Sequence, residues 1–382
     1  MDDDEACESF LKQANYYRLS AYFLPFRNAD GTYFENINFN RIKRIYEFDG
    51  RIRNLIFECI ETIELYLRTQ LSYYCGHAYG ALGYLNTESF MPKVGGAPAN
   101  VCGAYAKLGG KAVTLTQLGA DPFGDKIVEE LAHSGIDTTY ISRTEEANTS
   151  LAFVALLENG DREFTFFRKP GADMLYRPEQ VPEEVFADAY ALHFCSVSLG
   201  DYPMKQAHKK AIEKASAAGV MISFDPNLRP QLWPDQAQLK AAVTEFLPCA
   251  DILKLSDEEL FFVTGKEHIE DAVEELFAMG ISVILYTKGS QGAEVYTRTA
   301  HVAVSGTGKK AVDTTGAGDG FIGSFLNQLA YEGRTLDDMK KMTDKEWESY
   351  LIFSNRYCGE SIQKKGALSS YLTRREMEML FG

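Results

Sequence analysis

The segment Asp313-Thr-Thr-Gly-Ala-Gly-Asp319 stands immediately before a helical pattern. Its small residues, Gly316, Ala317 and Gly318, let backbone N–H groups close around an anion, and the N-terminus of a helix adds its positive end. Asp319 would lie beside this anion hole in the first helical turn. Phosphoryl transfer needs both features, because donors must stabilise the developing charge and a base must deprotonate the attacking hydroxyl. The simpler alternative is a tight turn followed by an acid that caps the helix.

Upstream of this segment, short apolar strand candidates alternate with helical patterns. The predicted strands are 112–118, 150–157, 164–168, 189–194, 220–225, 252–255, 283–287, 293–297 and 301–304. The predicted helices are 99–108, 124–134, 203–218, 236–247, 269–279 and 318–331. This alternation predicts a parallel sheet with helices on both faces.

Further motifs fall at the junctions between these elements. The segment from Val94 to Asn100, VGGAPAN, has paired glycines that let the backbone approach a polyhydroxy ligand. Arg168 follows a strand and suits a sugar hydroxyl or a phosphate. The segments 224–229 (FDPNLR) and 254–259 (KLSDEE) lie at carboxyl ends of strands, where open α/β sheets bind ligands. Each motif alone also fits a loop, a surface ion pair or an acidic helix start.

Together, in this order and at these spacings, the motifs resemble those of the ribokinase/phosphofructokinase-B family of sugar kinases, over about residues 94–382. Four segments are most similar to those of bacterial fructokinases: GGAPANV, FRKPGADM, FDPNLRPQLW and LKLSDEEL. The resemblance implies an α/β, ribokinase-like fold with a doubly wound, mostly parallel sheet. It also implies ATP-dependent phosphorylation of a sugar, with D-fructose giving fructose 6-phosphate. Ribose, 2-keto-3-deoxygluconate and nucleosides use the same scaffold and stay open as substrates.

The resemblance implies roles for individual residues. Asp319 resembles the catalytic base, beside the anion hole of Gly316, Ala317 and Gly318. The implied sugar contacts are Gly95, Gly96, Asn100 and Arg168, and the implied nucleotide contacts are Lys288, Gly289, Gly292, Asp313 and Asn355. Glu259 resembles the acid that helps to place Mg²⁺, although Ser256 stands where the family has Asn. ATP and Mg²⁺ are the implied cofactors, K⁺ near Asp313 and Ser369 is common in the family, and relatives often form homodimers through their lid.

One part of the family pattern is missing ahead of Val94. Relatives carry a first strand that ends in a sugar-binding Asp, followed by a small β lid, and residues 84–93 show neither the strand nor the Asp. We therefore expect the loss of one sheet strand, part of the lid and one carboxylate. The expected consequence is impaired activity unless residues 1–93 repair the sheet.

Residues 1–90 have a different composition from the rest of the chain. They hold 10 of the 21 Tyr but only 5 of the 31 Gly, and apolar residues recur at helical spacing over about residues 39–74. Segments such as NYYRLSAY (15–22) and IETIELYLRTQL (60–71) resemble the bacterial abortive-infection (AbiD/AbiF-type) phage-resistance family. Some of its relatives are ribonucleases in which four to six residues separate an Arg from a His on a helix. Here six residues separate Arg68 from Cys75, and His77 lies two positions later, outside that pattern.

Two domains are thus expected, a helical fragment over 1–90 and an N-terminally truncated kinase domain over 91–382. The alternatives to a kinase are an RNA-acting phage-defence module and an inactive fusion. The net charge of −15 argues against a chain that coats nucleic acid or anionic lipid. No apolar run reaches the ~18 residues of a membrane span, the first residues are acidic, and no CxxC pair occurs, so a reduced, cytoplasmic chain is expected.

Overall fold

A computed structural model of the chain describes residues 10, 19–35, 37–79, 92–156 and 162–381. These residues separate into two compact units, one up to Pro92 and one from Lys93 onward. The domain boundary near residue 90 stays a prediction. In the described part of the chain, no helix is both long enough and apolar enough to cross a membrane.

The described part of the first unit is helical. A short 3₁₀ helix, Ala21–Phe26, precedes the long helix α1, Phe39–Tyr79. Ile42 is fully buried and the Tyr22 hydroxyl donates to Asp49, so the 3₁₀ segment covers the first turns of α1. The helix continues through Gly50, although a glycine in a helix interior costs about 1 kcal/mol relative to alanine.

The second unit contains a six-stranded sheet in the order β12-β11-β10-β9-β8-β7. Its strands are β7 (Ala191–Cys195), β8 (Met221–Asp225), β9 (Ile252–Ser256), β10 (Val283–Thr287), β11 (Gly292–Tyr296) and β12 (His301–Ser305). The strands β7 to β10 are parallel, and β11 and β12 join antiparallel. The mixed sheet and its α/β class confirm the predicted ribokinase-like architecture.

Helices cover both faces of this sheet. One face carries α4 (Pro203–Ala217), α5 (Gln236–Phe246), α6 (Asp257–Thr264) and α7 (Val273–Ala278). The other face carries α2 (Ala97–Lys107), α8 (Ala317–Tyr331) and α10 (Asp344–Ser361). The remaining helices are α3 (Pro122–His133), α9 (Leu336–Met339) and α11 (Arg374–Phe381). The doubly wound arrangement follows from strands that are apolar on both sides, since each face must then be covered.

Three two-stranded pairs stand beside the main sheet. The strand β1 (Ala112–Val113) pairs with β3 (Ile136–Asp137), and β2 (Thr116–Gly119) pairs with β4 (Ile141–Thr144), all parallel. The strands β5 (Leu151–Leu156) and β6 (Arg162–Phe167) form an antiparallel hairpin. Within the described residues, β7 has a strand partner on one side only and no strand precedes α2. The predicted loss of the family's first strand concerns residues that fall partly in 80–91, which lie outside the described residues.

The core beneath the sheet depends on stacked aromatic rings. Phe224 on β8 is fully buried and stacks on Phe194 of β7 with ring centroids 4.6 Å apart. We expect Phe224→Ala to lower the free energy of unfolding by about 3–5 kcal/mol, because it leaves a cavity between β8 and the helices. Chemical denaturation of the purified chain measures this loss.

Phe261→Ala is the matched control, because Phe261 lies on α6 with its ring exposed to solvent. Its expected effect is within about 0.5 kcal/mol of zero. Equal losses for the two variants would contradict the assignment of the core.

Candidate active site

Three segments that are far apart in sequence meet at the carboxylate of Asp319. Asp319 lies in the first turn of α8 and is 6% exposed. Asn100, on the first turn of α2, donates through Nδ2 to Oδ2 over 2.8 Å. Asn227, in the loop after β8, donates through Nδ2 to Oδ1 over 3.0 Å. A carboxylate oxygen can accept more than one hydrogen bond, so both oxygens keep capacity for a further donor.

The turn before Asp319 has the shape of an anion hole. Gly316 caps the helix with φ +75°, in the left-handed region that favours glycine. A Cβ there would also lie 2.6 Å from Ala367 and 2.7 Å from the Tyr371 hydroxyl, which donates to the Gly316 carbonyl. The first-turn N–H groups of an α-helix have no intrahelical acceptor. In α8 the N–H of Ala317 donates to the Thr314 carbonyl over 3.2 Å, so the N–H groups of Gly318 and Asp319 are the ones that an anion can use.

Lys254 brings a buried positive charge to the same turn. It points from β9, and its Nζ lies 3.1 Å from Asp225 Oδ1 and 3.0 Å from Asp225 Oδ2. A Cβ on Gly318 would lie only 3.2 Å from Lys254 Nζ, so the glycine leaves room for the ammonium group beside the anion hole. An ammonium group placed there would stabilise negative charge that develops on a transferred phosphoryl group.

The electrostatics of the site are dominated by burial and by an excess of carboxylates. Burial raises the pKa of Asp319, opposed by the amide of Asn100 and the charge of Lys254. Burial also raises the pKa of Asp225. Burial alone would lower the pKa of Lys254, but the charges of Asp225 and Glu259 raise it overall. Lys254 therefore stays protonated among carboxylates that outnumber it.

The structure places Glu259 as a brace at the start of α6. Its Oε1 accepts from the Leu228 N–H over 2.9 Å, and its Oε2 accepts from the Ser256 N–H over 3.0 Å and the Ser256 hydroxyl over 2.8 Å. Both oxygens are thus engaged, which fits a contact to a metal through water better than direct ligation. Within the described residues, no group of three or more His, Cys, Asp or Glu side chains has the arrangement of a metal site.

The other predicted sugar contacts fall into two places. Gly95 and Gly96 precede α2, where Gly96 has φ +117° and its carbonyl accepts from the Asn100 N–H. Arg168 follows β6, and its guanidinium is bound by Asp173 and by the Val197 carbonyl, 2.9 Å away. The paired glycines are linked to Asp319 through Asn100, which donates to its carboxylate. The guanidinium of Arg168 instead donates to Asp173 and to the segment that follows β7.

The predicted nucleotide contacts border a turn and the helix next to it. Lys288, Gly289 and Gly292 form the β10–β11 turn, where a Cβ on Gly292 would lie 2.0 Å from the Val304 carbonyl. Asn355 on α10 donates to the carbonyl of Ser305 at the end of β12. Asp313 accepts from the N–H groups of Thr315 and Gly366 and so holds the loop that leads into α8. Lys288 is paired with Glu294.

Sequence reasoning missed three of the residues that shape the site. Asp225, Asn227 and Lys254 were inside recognised segments but had no assigned role. A lysine within an apolar strand, Ile-Leu-Lys-Leu over 252–255, is a signal for a buried charge, since buried lysines need a partner. Asn227 has φ +44°, a conformation that its sequence position does not reveal.

The site combines an anion hole at the start of a helix with a carboxylate beside it. Both lie near the carboxyl ends of the strands of a doubly wound sheet, where such sheets bind ligands. These features define a phosphotransferase of the α/β class. The family comparison agrees, because the model described as "pfkB family carbohydrate kinase" matches residues 81–374. A second model, "Abi-like protein", matches residues 9–100. The chain therefore belongs to the pfkB carbohydrate kinase family and is a kinase that phosphorylates a sugar hydroxyl.

Individual relatives support the same assignment. The chain is 38% identical to Fructokinase-1 of Zea mays over 293 residues, which is 76% of this chain and 89% of the relative. It is also 38% identical to Fructokinase-2 of Solanum lycopersicum over 288 residues, 75% of this chain and 86% of the relative.

Solved structures agree with these sequence relatives. The fructokinase of Xylella fastidiosa with bound ATP superposes with a TM-score of 0.70 at 33% identity, covering 75% of this chain and 90% of that one. The fructokinase of Vibrio cholerae O395 with fructose, ADP and calcium ion gives 0.69 at 31% identity, covering 76% and 92%. Neither set of comparisons favours the RNA-acting alternative.

The two amides on Asp319 give a test of its role as a base. Removing the Asn227 side chain as Asn227→Gly keeps the positive φ and deletes one hydrogen bond to the carboxylate. Because that bond lowers the pKa of Asp319, its loss should raise this pKa, and the acidic limb of the pH profile of kcat/KM should move to higher pH.

The measurement is the pH dependence of kcat/KM for sugar phosphorylation by the unmodified protein and by Asn227→Gly. Asn28→Gly, an exposed site in the first unit, is the control and should leave the profile unchanged. A limb that stays in place in Asn227→Gly, with only the amplitude reduced, would contradict the proposed link between the amide and the base.

Proposed function

We propose that the chain is a fructokinase that uses ATP, with Mg²⁺, to convert D-fructose to fructose 6-phosphate. The observation that carries the proposal is the convergence of Asn100, Asn227 and the anion-hole turn on Asp319. Support for fructose and for a nucleotide comes from the relatives named above, one of which was solved with fructose and ADP. Residues 91–382 form the kinase domain in this proposal.

The proposed reaction is a direct transfer. The sugar hydroxyl gives its proton to Asp319 while its oxygen attacks the γ-phosphorus of ATP. The bond between the γ-phosphorus and the bridging oxygen breaks, and ADP leaves with that oxygen and its electron pair. The first-turn N–H groups of α8 and the ammonium group of Lys254 stabilise the charge on the transferred group.

The residues present fit a divalent cation held through water. Three carboxylates, Asp225, Glu259 and Asp319, act on one buried ammonium group, so the region carries excess negative charge. Mg²⁺ keeps several of its waters and needs few direct protein ligands, which agrees with the engaged oxygens of Glu259. The ion would neutralise phosphate charge when bound with the nucleotide. A K⁺ near Asp313 and Ser369 is part of the same proposal.

Two further statements complete this proposal. We propose a homodimer through the β5–β6 hairpin, whose Phe153, Val154 and Phe167 are exposed and whose two Phe rings pack edge to face at 5.3 Å.

We also place the chain in the cytoplasm. That compartment supplies ATP, and the cysteines of the described residues are free thiols.

The role of Asp319 as the base is tested by Asp319→Asn. We expect kcat for fructose phosphorylation to fall by about 10²–10⁴-fold, because the amide cannot accept the proton. Coupled measurement of ADP release and of fructose 6-phosphate gives the rate. The control Asp337→Asn changes an exposed carboxylate on α9 and should leave the rate unchanged. Turnover of Asp319→Asn at the unmodified rate would remove Asp319 from this role.

The missing upstream carboxylate should weaken sugar binding. The described residues place no carboxylate ahead of α2 beside Asn100, whose Oδ1 is buried without a hydrogen-bond partner there. Loss of a charged, bidentate contact of about 2–4 kcal/mol predicts a KM for fructose about 30- to 1,000-fold above that of a complete relative assayed alongside. The KM for ATP should be similar in the two enzymes, and a similar KM for fructose would contradict the expected loss.

A further inference from the structure

The helix α1 carries an apolar stripe that the described residues of the first unit leave uncovered. Its exposed members, each between 37% and 63% exposed, are Phe48, Ile52, Leu55, Ile56, Ile60 and Ile63. They recur at steps of three and four, apart from the adjacent Leu55 and Ile56, and so lie along one side of the helix. A stripe of this size on the surface of a protein is typical of an interaction site.

The uncovered region has a definite beginning. At the start of α1, Ile42 is fully buried, and Arg53 contacts the 3₁₀ segment through the Tyr22 hydroxyl and pairs with Asp49 on its own helix. From Asn54 to Phe57 every side chain is exposed. A partner therefore has access to the middle of the helix, beyond the cover that the described residues supply.

The spacing of the stripe is symmetric. The positions pair from its two ends inward as Phe48 with Ile63, Ile52 with Ile60, and Leu55 with Ile56. Each pair is centred on the Leu55–Ile56 step to within one residue, so a two-fold axis at that step brings the stripe onto itself. Closed two-fold dimers use such self-complementary surfaces.

The charges along the helix favour the same arrangement. From Arg41 to Arg53 the sequence has five basic and two acidic residues, and from Asn54 to Arg68 it has three acidic residues and one basic residue. Antiparallel pairing places the basic half of one copy beside the acidic half of the other, whereas parallel pairing would oppose like charges. By helical register, position 51 of one copy and position 58 of the other lie on the same flank at nearly the same level, and the sequence has Arg51 and Glu58 there.

We propose that two copies of the chain associate through antiparallel packing of α1 about the Leu55–Ile56 step. Six half-exposed large apolar side chains each offer on the order of 100 Å². Two copies thus supply about 1,200 Å², the lower bound of a standard stable interface. This surface is separate from the β5–β6 hairpin, so the inference does not depend on the proposed function.

The first experiment measures the association of the full chain by sedimentation velocity over a range of concentrations. All proteins carry Phe153→Ser and Phe167→Ser, which removes the hairpin as a source of dimers. We expect a dimer of twice 42.7 kDa in this background. Adding Leu55→Glu should raise the dissociation constant at least about a hundredfold, because it places two carboxylates at the two-fold axis.

The control is Asn54→Glu, which adds the same charge at the neighbouring position on the opposite side of the helix. It should leave the dissociation constant within about threefold of the background. Circular dichroism checks that both variants keep the helix. The proposal is overturned if the background protein is monomeric at every concentration. Binding of a labelled RNA duplex by that monomer, measured by gel retardation, would not rescue it.

The second experiment determines the orientation of the pair by charge exchange. Arg51→Glu and Glu58→Arg, made singly, each oppose like charges across an antiparallel pair and should weaken association about three- to tenfold. The double variant restores opposite charges in an antiparallel pair only and should recover the original dissociation constant. Additive weakening in the double variant would overturn the antiparallel arrangement.

Discussion

One buried ammonium group organises the centre of the kinase unit. Lys254 reaches from β9 to Asp225 on β8 and lies beside Gly318 of the anion-hole turn. Breaking a buried ion pair leaves the partner charge without compensation, at several kcal/mol. The positions of β8 and β9 are thus tied together by an interaction that tolerates little displacement. Asn227, in the loop after β8, connects this scaffold to Asp319 through its hydrogen bond to the carboxylate.

The same interaction explains why Asp319 suits proton transfer. A carboxylate in water has too low a pKa to hold a proton taken from an alcohol, and burial raises it. The amides of Asn100 and Asn227 and the charge of Lys254 limit that rise. The net result is a pKa of Asp319 above its ordinary value, which makes the carboxylate a better proton acceptor than it would be in water.

Most of the architecture could be predicted from the sequence, because it depends on local periodicity. The helix α1 begins at the predicted Phe39, and β8, β10 and β12 match their apolar runs to within a residue. The run 112–118 was predicted as one strand but forms β1 and β2, which pair with different partners. Periodicity detects an apolar run, whereas the partner of each strand depends on tertiary structure.

The parts of the site that could be predicted are those in which a backbone requirement dictates the residue type. At positions 292, 316 and 318 a Cβ would lie close to neighbouring atoms. The sequence has glycine at each of them, so these constraints could be read from the residue type. Asn227 gave no such signal, and the only signal of Lys254 was its place inside the apolar run 252–255. A lysine is ordinarily solvated, and its burial here depends on strands whose order is not local. Asn227 likewise combines a positive φ with a hydrogen bond to Asp319, which lies 92 positions away, and neither is a local property of the sequence.

The free side of β7 shows how the sheet persists without a further strand among the described residues. An open strand edge exposes unpaired N–H and C=O groups and invites association, unless the strand is short or covered. β7 has five residues, α2 packs against it, and Phe194 and Cys195 remain buried. Since α2 also carries Asn100, the helix that packs against this edge strand is one that supports Asp319. The packing of β7 and the position of the Asp319 carboxylate therefore depend on the same element.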